Sequence, residues 1–92
     1  MSNEIKIKPE AARAAAVRMR NKAREIEGLL NTQRSDVNNY FSFWGGEARQ
    51  RYVERYREIE ATYREVPREL RRQAIELDEI ARAKERADRR RI

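Results

Sequence analysis

Trp44-Gly45-Gly46 is the stretch that decides the fold. It holds the only tryptophan of the 92-residue chain and two of its three glycines. On each side lies a segment of about forty residues with the periodicity of a charged, amphipathic helix. A glycine pair at the midpoint of a helical chain breaks the helix, and two helices joined by so short a connection lie antiparallel. The sequence therefore predicts one all-α domain over residues 1–92, an antiparallel helix-turn-helix hairpin with Trp44 at its tip. Helix 1 is expected over about 9–43, the turn over about 44–46 and helix 2 over about 47–88.

Upstream of the turn, residues 1–8 read as an extended lead-in. Pro9 suits a first helical turn, where its missing N–H costs nothing, and Glu10 complements the positive end of the helix dipole. Positions Ala12, Ala16, Met19, Ala23, Ile26, Leu30, Gln33, Val37, Tyr40 and Trp44 then follow one another at alternating spacings of four and three. That is the a/d pattern of a heptad seam, and its alanine-rich first half lets another backbone approach closely. Gly28 lies off the seam. Gly45-Gly46 is expected to end helix 1, because glycine takes the left-handed conformation at a helix C-terminus without steric penalty, and Gly46 also suits the cap of the next helix.

Downstream, Tyr52, Tyr56, Ile59, Tyr63, Val66, Leu70, Gln73, Leu77, Ile80, Lys84 and Ala87 repeat the pattern. Pro67 interrupts it without changing its phase, which predicts a kink in a continuous helix. Each helix shields only one side of the other, so a lone hairpin leaves much of this apolar material wet. Docking a second hairpin closes a four-helix bundle. The residues expected at that dimer seam are Met19, Ile26, Leu30, Val37, Tyr52, Tyr56, Ile59, Tyr63, Val66, Leu70, Leu77 and Ile80. A homodimer is the simpler case and a heterodimer with a related chain the other.

Composition narrows the function classes. Charged residues make up 41% and apolar ones 39%, enough for one apolar stripe per helix and little more. No stretch approaches the ~20 apolar residues of a membrane span, and Met1–Lys6 contains no apolar core of a cleavable signal peptide. The chain has neither histidine nor cysteine, which removes the commonest general base, the thiol nucleophile and the commonest metal ligands. Its carboxylates are interleaved with arginines, and neither a glycine-rich phosphate loop nor a metal-ligand cluster is present. No catalytic residue, metal, cofactor or small-molecule substrate is expected, and the chain reads as a non-enzyme. The net charge of +6 divides evenly between the halves, and glutamates follow the arginines closely. The one concentrated basic stretch, Arg86–Arg91, reads as a frayed, solvated tail. A nucleic-acid binder gathers its positive charge on one face, so a basic helical nucleic-acid-binding protein is the alternative function and the weaker one.

The midpoint Trp44-x-Gly46, the two heptad helices, the Pro9-Glu10 opening and the alanine-rich first helix together resemble the WXG family, the small Esx-type proteins of type VII secretion. The resemblance spans nearly the whole chain. It implies a helical hairpin that pairs into a four-helix bundle. It further implies a small folded substrate or co-export adaptor, cytoplasmic before export and then secreted without a cleavable signal peptide. Its partner in export would be a secretion ATPase of the FtsK type. By position it makes Trp44, Gly45 and Gly46 the turn and recognition motif.

Members of that family often carry Tyr-x-x-x-Asp/Glu after the second helix as part of an export signal. The matching register here is Lys84 to Asp88, with lysine where tyrosine is expected, a degenerate signal. Either a partner supplies the tyrosine, or export relies on other features. Trp44 has two readings: packing of the tip against Tyr40 and Tyr52, or packing together with a surface read by the export apparatus. Phe41 and Phe43 flank the seam at the tip, and Phe43 is expected to be partly exposed.

Overall fold

The computed structural model describes residues 7–90, which form two helices, α1 (Pro9–Phe41) and α2 (Gly46–Arg90). They fold back on each other as a rod of 71 × 24 × 16 Å. Residues 1–6 of the expected lead-in, and Arg91 of the basic stretch, lie outside the described residues. Among the described residues no helix is long and apolar enough to cross a membrane.

The helix ends follow from local chemistry, with one departure from expectation. Pro9 occupies the first turn of α1, Glu10 stands beside it, and the Ala12 amide donates to the Lys8 carbonyl. α1 does not end on glycine. It closes at Ser42 in a right-handed conformation, where both the amide and the hydroxyl of Ser42 donate to the Asn39 carbonyl. The Trp44 amide donates to the Phe41 carbonyl at 3.0 Å, carrying the chain round the corner. The left-handed residue is Gly46, with φ of 69°, and it opens α2 with Glu47 in the first turn. The glycine is thus needed to start the second helix, a job that a turn with right-handed Ser42 leaves undone.

The interior of the rod is a ladder of small side chains. Ala12, Ala16, Ala23 and Leu30 of α1 are buried against α2, whose buried residues are Glu60, Pro67, Ala74 and Ala81. The α2 positions recur every seven residues, as the heptad demands. This corrects the sequence reading of helix 2. The stripe facing α1 lies one residue beyond the stripe of Ile59, Val66, Gln73 and Ile80, and it carries small or charged residues instead of large apolar ones. The reason is steric: alanine against alanine lets the backbones close up, and the bulky residues are turned aside.

Pro67 belongs to this ladder as its largest fully buried side chain, and α2 runs through it unbroken from Gly46 to Arg90. The ring fills the seam, which supplies apolar contact against the loss of one backbone hydrogen bond. The Arg86–Arg90 stretch is helical and exposed, where fraying was expected.

Candidate functional site

Four rungs of charge fix the register of the hairpin. Arg13 pairs with Glu85 through both terminal guanidinium nitrogens, Arg20 pairs with Asp78, and Arg71 pairs with Glu27. The α1 members are seven apart and so are the α2 members. The fourth rung brings together two arginines, Arg34 and Arg64, and there the buried Glu60 lies between them. Arg34 donates through Nε and a terminal nitrogen, and Arg64 Nε donates at 2.8 Å. Arg64 also donates to the Asn31 side chain at 2.9 Å.

Glu60 is only 5% exposed, and it stays ionised because both guanidinium groups bond its anionic form. Its pKa falls to about 2, with the Arg34 hydrogen bond the main cause and burial opposing. Beside it the Tyr56 hydroxyl is buried without a hydrogen-bond partner among the described residues, and burial foremost pushes its pKa up. At the outer rungs Glu27 and Glu85 are likewise held below the usual carboxylate range, each by its arginine's hydrogen bond.

The side of the rod away from these rungs is apolar and uncovered. A residue four places after a seam residue is turned about 40° one way, and a residue three places after it about 60° the other way. The rung residues occupy the first set. Tyr63 and Tyr40 belong to the second, and Leu29, Ile59 and Val66, each one place before a seam residue, lie on the same side. Leu29 is 67% exposed and Tyr63 57%, with Tyr40, Tyr52, Ile59 and Val66 also exposed. Met19, Ile26, Val37, Tyr56, Leu70, Leu77 and Ile80 are half-buried, while Leu30 is buried within the hairpin itself. Two further exposed residues, Val17 and Ile75, stand off this face, one place beyond seam residues.

The tip is an aromatic cluster. Trp44 meets Phe41 and Tyr52 edge-on, with ring centroids 5.2 Å apart in each case, and Tyr52 stacks on Phe41 at 5.9 Å. Tyr40 completes it, 5.4 Å from Phe41 and 6.1 Å from Trp44. Such edge-to-face contacts suit the ring quadrupoles. Phe43 stays outside, 92% exposed. At the opposite end Lys84 and Asp88 face each other at 3.5 Å as an exposed pair one turn apart. Within one chain, therefore, the Lys84–Asp88 pair and Trp44 lie at opposite ends of the rod.

A family model, "WXG100: Proteins of 100 residues with WXG", matches residues 4–89. The chain belongs to the WXG100 family. It is accordingly an Esx-type, secretion-associated small helical protein, from a family of non-enzymatic, secreted substrates. A solved structure, EsxA of Geobacillus thermodenitrificans in crystal form I, resembles the hairpin with a TM-score of 0.77 over 95% of each chain. At 17% identity the likeness is one of fold. No curated protein sequence matches the chain.

The charged rungs and Glu60 escaped the sequence reading of this WXG100 chain. Their signal was present: residues 13, 20, 27 and 34, and residues 64, 71, 78 and 85, are two heptad series with mostly opposite charges. Carboxylates and arginines also alternate along each helix, so the sequence alone does not favour pairing across the hairpin over pairing within a helix.

Proposed function

We propose that this WXG100 protein is a folded substrate or co-export adaptor of a type VII secretion system, and that it works as a dimer. The observation that carries the proposal is the apolar face described above, left uncovered on a hairpin whose own interior is already filled by alanine, leucine and proline. Burying six large side chains there at ~1 kcal/mol each is comparable with the net stability of a small domain. A second copy of the chain, docked face to face, closes a four-helix bundle, with Met19, Ile26, Val37, Tyr56, Tyr63, Val66, Leu70 and Leu77 at its centre. A WXG paralogue is the other candidate partner. In an antiparallel dimer the Trp44 tip of one chain comes beside the Lys84–Asp88 segment of the other, so that motif and degenerate tail share one composite surface. An FtsK-type ATPase is the machine that such a surface would meet.

Sedimentation of the purified chain at micromolar concentration, with a secretion assay in a host carrying the export system, tests the proposal. A dimer that appears in the medium is expected. A stable monomer, or retention in cells under conditions that export other substrates, would refute it.

A further inference from the structure

Near the tip, on the side of the rod that carries the charged rungs, lies an open groove of about 500 Å³ between the helices, lined by Arg34, Asn38, Val53, Tyr56, Glu60 and further α2 residues that include Arg57, Arg64, Glu65 and Arg68. Its four arginines against two glutamates leave a formal charge of +2.

The arginines are not equivalent. Arg34 and Arg64 are anchored on Glu60, and each keeps a terminal nitrogen that bonds neither Glu60 nor Asn31. Arg68 is tied to Glu65. Arg57 forms no ion pair or side-chain hydrogen bond among the described residues. The Tyr56 hydroxyl, buried at the groove, has no hydrogen-bond partner among the described residues. Guanidinium groups held in place with donors left over are the geometry that binds a tetrahedral oxyanion through paired hydrogen bonds, with little ordering cost at the moment of binding.

We propose that this groove is a binding site for a phosphate-class dianion, with Arg57 as its free cation and Arg34 and Arg64 as its fixed donors. The volume suits a small phosphorylated molecule. Its arginines lie on the rung side of the rod, and of its lining only Tyr56 is shared with the proposed dimer interface; the proposal does not rest on dimerisation.

Titrating the intact chain with inorganic pyrophosphate at low salt, by calorimetry or by NMR shifts of the arginine side chains, tests it. Saturable binding is expected that weakens about tenfold in Arg57→Ala, is partly kept in Arg57→Lys, and stays within about twofold of wild type in Arg82→Ala, a charge-matched change at the far end of the rod. Arg57 has no partner to lose, so the variant keeps its helicity and unfolding midpoint. The same variants against vesicles containing phosphatidic acid, whose headgroup is a phosphomonoester, distinguish sources: loss on Arg57→Ala there as well extends the site to a lipid headgroup. No saturation by pyrophosphate, equal binding by wild type and Arg57→Ala, or equal weakening in Arg82→Ala would overturn the proposal.

Discussion

Gly46 shows how much one backbone angle can decide. Its φ of 69° lies where a Cβ is strained, although a Cβ added there would meet no atom within 4 Å. Gly46→Ala is therefore expected to cost about 1 kcal/mol through the backbone alone. Gly28 has the same open surroundings and ordinary helical angles, so Gly28→Ala should stabilise by about 0.5–1 kcal/mol. Urea unfolding at one fixed protein concentration checks both, and equal effects at the two sites would refute the distinction. Glu60 sets a pH dependence. Its folded-state pKa of about 2 lies below its ordinary 4.5, so its stabilisation is complete above pH 4.5 and drains away as pH falls toward 2. Over that window wild type should lose on the order of 2–3 kcal/mol from this group. Glu60→Gln should flatten that part of the profile and be less stable at neutral pH, because Arg34 and Arg64 then face each other uncompensated. An unchanged acid profile would assign the titration elsewhere.

The two helices specify each other through small residues and alternating charge. If α2 slid one heptad along α1, Arg20 would meet Arg71 in one direction, while in the other Glu27 would meet Asp78 and Arg34 would meet Arg71. Like charges opposed in that way disfavour both slips, as e and g charges do in coiled coils. Glu27→Arg should lower the unfolding midpoint slightly, and the exchange Glu27→Arg with Arg71→Glu should restore most of the loss. A double-mutant cycle by thermal unfolding measures the coupling, and a coupling of zero would reduce the rung to decoration.

What was legible in the sequence follows the same logic. The hairpin could be read because Gly45-Gly46 and unbroken heptads are local signals. The alanine seam of α1 could be read because it is compositionally distinct. The seam of α2 could not, because its members, Glu60 and Pro67 among them, look like interruptions until the facing alanines show how little room there is. Trp44 could be placed at the tip, but its edge-on contact with Phe41 depends on where α1 stops, and that helix ends at Phe41, two residues before the expected boundary.

At the scale of the molecule, a rod with so slender an interior draws little stability from itself. Val66→Asp and Tyr63→Asp change side chains already exposed in the hairpin, so the monomer should keep its helicity while a charge in the proposed interface abolishes pairing, a loss of several kcal/mol. Equilibrium sedimentation reads the outcome, and undiminished dimer mass would move the interface to another face. Trp44→Ala removes the centre of the tip cluster and should cost about 2–4 kcal/mol in stability, scaled down from a full core loss because the cluster is half-buried. Export should fall more than stability alone accounts for if the tip is also recognised. Secretion equal to wild type from a folded variant would leave the tip a packing device only.

The alanine rungs also set a calibre. Because small side chains bring the helices so close, the folded hairpin presents a section of only 24 × 16 Å end-on. A passage wide enough for that section would admit it lengthwise without unwinding a single turn, whereas two hairpins side by side would need nearly twice the breadth in one direction. The breadth of the strut is thus set by the choice of alanine at positions 16, 23, 74 and 81.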